Sequence, residues 1–481
     1  MMGLAPPSRL ERTRELMAET SDRSASREPI DFTVESLGPR TVDSPLAPRL
    51  LARRTTHHYI EETDRVLFDD TLSKVSRRDG DLEDLPSLEP TGPRKKIFFD
   101  PSKTRVGIVT CGGLCPGINN VIRGLVSELT NHYGVRRIHG FKNGYQGFVP
   151  RYGHDVVDLT PESVSGIDGE GGTILGTSRG QQDTVEVVDC LERMGISILF
   201  VIGGDGTMRG AQKISAEIKA RDLKIAIVGI PKTIDNDIPF IDQSFGFQSA
   251  FSEATRSIRS AKVEARTAPN GVSIVKLMGR HSGFIACYAA LAQNDADFVL
   301  IPEVPFTLDG PGGFLEKLRE KVATQGHALV VAAEGAGQEL FDASSDAAGL
   351  KDASGNKKLQ DVGSLLRHSI TADFEKHDLE LNMRYIDPSY VIRSVPANPY
   401  DSVYCIRLAH AAVHAAMAGR TNMVVGRWRR RFVHIPIALA VSARNQVDPH
   451  GDLWWSVLEA TGQPWSFGEF APDEVSAFGG Q

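Results

Sequence analysis

From Arg105 onward the chain alternates between two kinds of segment. Short, β-branched runs at 106–109, 198–202, 225–230, 274–277, 298–301 and 329–332 read as buried strands. Between them, at 118–129, 184–193, 208–220 and 246–261, apolar residues recur at helical spacing. This alternation predicts an α/β architecture with mostly parallel sheets. Near the C-terminus, strand-like runs at 423–425 and 432–437 bracket Arg427-Trp428-Arg429-Arg430-Arg431. A site for an anionic effector or nucleic acid is the alternative; the reading favoured there is an exposed hairpin turn, because the run is a lone basic one on an acidic chain. No solenoid or propeller repeat is evident.

The first 92 residues follow no such pattern. They hold 13 basic and 18 acidic side chains, with prolines at Pro6, Pro7, Pro29, Pro39, Pro45, Pro48, Pro86 and Pro90. They read as an extension, partly disordered or wrapped over a neighbour. Glu11, Glu15, Glu19, Asp22 and Glu28 argue against a transit peptide, a class that avoids acids, though organellar targeting stays open. The whole chain has a formal net charge of −7, 41% hydrophobic and 24% charged residues, the balance of a soluble globular protein. That charge argues against a general nucleic-acid binder, and no apolar run approaches the ~20 residues of a membrane span. Five scattered cysteines (Cys111, Cys115, Cys190, Cys287, Cys405) fit reduced thiols in a cytoplasmic enzyme better than a disulfide framework.

Several predicted strands end in glycine-rich turns that lead into helices, where open α/β sheets bind ligands. In Cys111-Gly112-Gly113-Leu114-Cys115-Pro116-Gly117 the glycines let backbone amides approach a phosphate. Ile118 and Asn119 stand where a P-loop requires Lys and Ser/Thr, so a tight turn without ligand remains an equal reading. The two cysteines make a weak metal site and read better as small buried residues. The second turn is Gly203-Gly204-Asp205-Gly206-Thr207. An acid beside a phosphate cradle is repulsive unless a divalent cation intervenes, so Asp205 is a candidate Mg²⁺ ligand, with a helix N-cap as the plainer alternative. In Pro231-Lys232-Thr233-Ile234-Asp235-Asn236-Asp237, two carboxylates beside a lysine and a hydroxyl suit deprotonation of a substrate hydroxyl; an Asx-rich turn is the alternative. Met278-Gly279-Arg280 and Ala333-Glu334-Gly335 close two further strands.

GGDGT, PKTIDND and MGR, in this order and at these separations, resemble 6-phosphofructokinase over some 340 residues, from Thr104 to about Val441. Tyr385 to Arg393 (YIDPSYVIR) and Asp352 to Asp361 (DASGNKKLQD) resemble the branch with plant and trypanosomatid enzymes. The resemblance implies two Rossmann-like three-layer α/β domains with the active site between them. The expected boundaries are an extension at 1–95, an ATP domain at 96–238 and a fructose 6-phosphate domain at 239–481, part of which packs back on the first. It implies Mg-ATP phosphorylation of fructose 6-phosphate in glycolysis by a homotetramer, with no nucleic-acid or membrane partner. Gly113, Arg179, Gly180, Gly204, Asp205, Gly206 and Thr207 match nucleotide positions, with Asp205 on Mg²⁺. Thr233, Ile234, Asp235, Met278, Gly279, Arg280 and Glu334 match sugar contacts, Asp235 standing as catalytic base. Tyr390, Val391, Ile392 and Arg393 match the 6-phosphate segment, which Arg384 reaches across a subunit boundary. Arg179 and Arg280 match groups that offset transition-state charge, and Asp237 is expected to orient the turn or bind the metal region.

Two departures bear on specificity. Lys232 is the mark of pyrophosphate-dependent relatives, whereas Gly206, which they replace by Asp, leaves room for the α-phosphate of ATP. Gly206 weighs more, since Lys232 can coexist with either donor. Gly271 stands where bacterial enzymes carry a sugar-phosphate arginine, so their allosteric behaviour does not transfer. A pyrophosphate-dependent enzyme is the alternative. A non-catalytic sensing subunit is disfavoured by the intact Asp205, Asp235, Arg179 and Arg280.

Overall fold

The computed structural model of the chain describes residues 30–46, 59–72, 75, 85–341 and 358–468. The acids weighed against a transit peptide, and 352–357 of the DASGNKKLQD run, lie outside those residues. The strands are β1 (Glu35–Ser36), β2 (Val42–Asp43), β3 (Val66–Leu67), β4 (Ser87–Leu88), β5 (Lys96–Ile97), β6 (Arg105–Thr110), β7 (Arg137–Phe141), β8 (Val156–Asp158), β9 (Ile198–Gly203) and β10 (Ala226–Pro231). They continue with β11 (Gly271–Leu277), β12 (Phe298–Leu300), β13 (His327–Ala333), β14 (Asn382–Ile386), β15 (Arg420–Thr421), β16 (Met423–Trp428) and β17 (Arg431–Pro436).

The buried runs form two sheets. The larger has the order β17-β16-β10-β9-β6-β7-β8, parallel at its centre and antiparallel at both edges. The smaller, β12-β13-β11-β14, is parallel throughout. Side chains of the central strands divide by parity: Val106, Ile108, Phe200 and Val228 enter one core, Val109, Leu199, Val201 and Ile227 the other. Both faces are therefore covered, which is why these strands read as continuous apolar runs rather than alternating ones. The first of these cores continues to Val275, Leu277, Val331 and Ala333 of the smaller sheet. The helix Phe247–Thr267, with Ala250, Ala254, Ile258 and Ala261 buried, packs in that shared core. One body of apolar packing thus holds the two sheets' strand ends at a fixed separation.

The expected helices occur as Ile118–Ser127, Thr184–Met194, Asp205–Ala220 and Phe247–Thr267. The first ends early because the chain widens into a π-helical turn at Glu128–Tyr133. The hairpin at Arg427–Arg431 is present, with Arg429 and Arg430 at positive φ in its turn. Its arginines are engaged locally: Arg429 pairs with Asp69 and Asp70, and Arg427 donates to the Tyr400 hydroxyl at 3.2 Å. The hairpin also belongs to the larger sheet, since β16 runs parallel to β10.

The extension is described only in part. Its described part lies over this chain's own core, with β1 antiparallel to β15 and a bridge from Pro90 to Val433. Phe32, Val34, Leu46, Val66 and Leu88 are buried in the same cores as the sheet residues. Spaced too widely to show a period, each fills a hole prepared by distant residues. Phe68 stacks on Trp428 at 5.1 Å, and Phe32 meets Phe240 edge-on at 5.6 Å. Phe240 sits at φ 63, a strained backbone for an aromatic residue, three residues after Asp237.

Candidate functional site

Adjacent strands of each sheet end at one cleft. On the larger sheet, β6, β9 and β10 lead into the turns after Thr110, Gly203 and Pro231. On the smaller, β11, β13 and β14 lead into those after Leu277, Ala333 and Ile386. The two sets touch at Asp235, whose carbonyl accepts the Ser282 hydroxyl at 3.1 Å and whose carboxylate accepts the Arg280 backbone N–H.

The turns after β6, β9 and β10 interlock. Gly112, at φ 85, donates its N–H to the Ser178 carbonyl at 3.1 Å, while the Thr177 hydroxyl donates to the Gly112 carbonyl at 2.6 Å. This brings Arg179 beside Gly113, where an added Cβ would lie 3.9 Å from the guanidinium. Lys232 is buried, and its ammonium donates to the Gly113 carbonyl at 2.7 Å. Burial lowers its pKa. The helix Asp205–Ala220 begins directly after the glycines, with Gly204 as its N-cap and Asp205 its first residue. Asp205 is thus not the cap; its half-exposed carboxylate pairs with Arg209 at 3.3 Å. Around Gly206 an added Cβ would meet nothing within 4 Å. Cys111 and Cys115 are buried free thiols, each pushed up to about 12 by burial.

The turn after β10 is tied by its own side chains. Thr233 donates its hydroxyl to Asp237 Oδ1 at 2.7 Å and accepts the Asp235 N–H at 3.2 Å. Asp235 Oδ1 is buried without a hydrogen-bond partner. Desolvation first, then the charges of Asp237 and Glu334, push its carboxyl up to about 8. A carboxylate of that kind can accept a proton from a bound hydroxyl near neutral pH.

On the opposite wall, Gly335 packs against the Met278-Gly279-Arg280 turn so closely that a Cβ would stand 2.0 Å from the Arg280 carbonyl oxygen. Glu334 is raised, chiefly by burial, with Arg280, Lys276 and Arg393 acting against that shift. Arg393 lies over the Tyr390 ring at 4.6 Å. Ile392 is fully buried, so it can offer a ligand only backbone, whereas Tyr390 and Val391 are 76% and 54% exposed. The Ile234 side chain is likewise buried. Arg384 does not reach this cleft: it pairs with Ser273, four residues before the end of β11, and contacts Glu264 at 3.5 Å. Gly271, at the start of β11, lies at that same far end.

Sequence reading missed two groups. Lys276 bridges Asp361 at 3.0 Å and Asp387 at 2.9 Å, tying the segment after β14 to β11. Arg444 donates to Asp237 at 2.8 Å and approaches Asp205 to 3.9 Å. Neither lies in a glycine-rich turn, and no local pattern marks them.

Among the described residues, no group of three His, Cys, Asp or Glu side chains could hold a metal ion, and no helix is long and apolar enough to cross a membrane. Residues 105–416 match the family described as Phosphofructokinase. The chain is 59% identical over 448 residues to the ATP-dependent 6-phosphofructokinase of Amycolatopsis methanolica, covering 92% of this chain and 97% of that one. It is 47% identical to the ATP-dependent 6-phosphofructokinase of Borreliella burgdorferi, over 91% and 98% of the two chains. The structure resembles a pyrophosphate-dependent phosphofructokinase from Nitrosospira multiformis with a TM-score of 0.62, at 19% identity over 77% of this chain and 94% of that one, a likeness of fold.

Proposed function

Because this chain belongs to the phosphofructokinase family, we propose that it is an ATP-dependent 6-phosphofructokinase, transferring the γ-phosphoryl group of ATP to the 1-hydroxyl of fructose 6-phosphate. The observation that carries this reading is Asp235, a buried carboxylate with one unpaired oxygen at the meeting point of both sets of turns. Phosphoryl transfer asks a protein for positioning and for charge, more than for covalent chemistry.

Gly113, Arg179, Gly180, Gly204, Asp205, Gly206 and Thr207 hold ATP, its phosphates drawn to the free amides that open the helix at Asp205. The residues fit Mg²⁺. Asp205 offers hard carboxylate oxygens at the first residue of the helix, where the free amides would face nucleotide phosphates, and it would hold the ion together with them. When bound, the ion neutralises phosphate charge. Asp235 accepts the proton of the 1-hydroxyl as that oxygen bonds to the γ-phosphorus and the bond to ADP breaks. Arg179 and Arg280 offset charge on the transferring group, an electrostatic role.

Thr233, Ile234 through its backbone, Met278, Gly279, Arg280 and Glu334 hold the sugar, and Tyr390 to Arg393 the 6-phosphate, with Arg393 supplying charge. Arg384 serves the equivalent site of a neighbouring subunit in a homotetramer; its exposed place in the middle of the edge strand, away from this chain's own cleft, supports that role. The cytoplasm is the setting, as the free thiols favour. Open space at Gly206 supports ATP as donor, while Lys232 beside Gly113 supports the pyrophosphate-dependent reading as the second choice.

The test is purified protein with fructose 6-phosphate, Mg²⁺ and either ATP or pyrophosphate, following fructose 1,6-bisphosphate. ATP-supported turnover is expected. A preference for pyrophosphate would promote the second reading, and no turnover with either donor would sink both.

A further inference from the structure

We propose that Arg444 positions Asp235 for proton transfer, acting from the C-terminal return of the chain through Asp237 and Thr233. The inference rests on the phosphofructokinase reading of the cleft. Arg444 Nη1 donates to Asp237 Oδ2 at 2.8 Å. The other oxygen of Asp237 accepts the Thr233 hydroxyl at 2.7 Å, and that hydroxyl accepts the Asp235 N–H at 3.2 Å. A continuous line of hydrogen bonds therefore runs from a guanidinium on the return segment to the backbone of the base. Cutting it at Arg444 leaves Asp237 free to turn, and with it the hydroxyl that fixes Asp235.

Charge points to the same residue. The charge of Asp237 acts on Asp235 within one turn, and the carboxylate of Asp205 ends the turn beside it. Arg444 Nη2 lies 3.9 Å from Asp205 while Nη1 holds Asp237, so one permanently charged fork spans both turns. A lysine could supply the charge but not both arms.

The return segment is docked independently of that side chain. Asn445 donates its N–H to the Asp237 carbonyl at 2.8 Å, Gln446 its amide to the His281 carbonyl at 2.9 Å, and Val447 its N–H to Glu303 at 2.8 Å. Removing the guanidinium, which is one-third exposed, leaves these anchors in place. Arg444 is a positioning residue, because its contacts are to carboxylates and not to a reacting atom.

The experiment measures kcat and KM for ATP and fructose 6-phosphate in Arg444→Ala, Arg444→Lys, Gln446→Ala, Asp237→Asn, Asp235→Asn and the Arg444→Ala/Asp237→Asn double variant. Arg444→Ala should lower kcat about ten- to a hundred-fold, the scale of a reacting group misplaced by ~1 Å, with both KM values little changed. Arg444→Lys should recover part of the loss. The double variant should be about as slow as the worse single one, because both cut the same line. Gln446→Ala, which cuts a neighbouring anchor, should keep wild-type kcat. A wild-type kcat in Arg444→Ala, a change confined to KM, an additive double variant, or an equal loss in Gln446→Ala would each overturn the proposal. If Asp235→Asn itself turns over at the wild-type rate, the reading of the cleft falls instead.

Discussion

Replacing Gly206 by aspartate probes what selects the phosphoryl donor. Position 206 is exposed in the first turn of a helix, and a Cβ built there meets nothing within 4 Å, so the new side chain carries no steric penalty. An acid in the first turn also interacts favourably with the helix dipole, so folding stability should hold or rise slightly. The effect on ATP is then electrostatic. A carboxylate ~4 Å from a phosphate charge is repelled by ~4 kcal/mol at an effective dielectric of ~20 and by ~1 kcal/mol in water. For this half-open site ~2 kcal/mol is a fair middle value, which is a loss of ~30-fold in kcat/KM for ATP. Steady-state kinetics with ATP and with pyrophosphate, in wild type and Gly206→Asp, read the effect, and a melting curve controls for folding. Lys232 is already in place beside Gly113, so some pyrophosphate activity should emerge as ATP use falls. An unchanged kcat/KM for ATP in a folded variant would refute the electrostatic reasoning. So would a loss accompanied by a large fall in Tm.

Other outcomes follow from the same geometry. Since Asp235 must be ionised to accept a proton and its carboxyl is raised to about 8, kcat/KM should fall with acid from well above the usual carboxylate range. Asp237→Asn, which removes a like charge, should move that limb to lower pH, a shift read from pH–rate profiles. A carboxyl with a raised folded-state pKa makes the native state less stable as pH climbs from the unfolded value of ~4 toward the folded one. Asp235→Asn should therefore melt above the wild type at pH 7–8, with the gap closing near pH 4. Phe68→Ala removes the partly buried ring stacked on Trp428 and should cost ~2–3 kcal/mol, below the ~3–5 of a fully buried aromatic, while deletion of residues 1–92 should lose cooperative unfolding in calorimetry.

That last outcome reverses what the sequence suggests, and the reason is physical. Strands such as Ile198–Gly203 are legible because burial on both faces leaves an unbroken apolar run, and their ends because glycine turns punctuate them. The turns at Gly203 and Pro231 therefore carry their chemistry within seven residues of sequence. Phe32, Val66 and Leu88 carry no such signal, since their partners lie in other segments: Phe32 packs on Phe68 and Phe240, and Val66 pairs with Leu88 in a core built by the larger sheet. Arg444 is separated from Asp237 by 207 residues, and the parallel pairing of β16 with β10 that brings it back is nowhere encoded locally. Lys276 is a lone charge in the apolar run of β11, and its partners stand apart from it in sequence, Asp361 at the N-cap of the helix Val362–Lys376 and Asp387 just after β14.

The role of Asp235 is tested most directly by the kcat of Asp235→Asn, a change of nearly the same shape that removes the acceptor oxygen's charge, measured at saturating Mg-ATP and fructose 6-phosphate. A base at the meeting point of the two sheets requires a fall of ~10²-fold or more, with ATP affinity nearly unchanged and the fold intact. Turnover at the wild-type rate would contradict it.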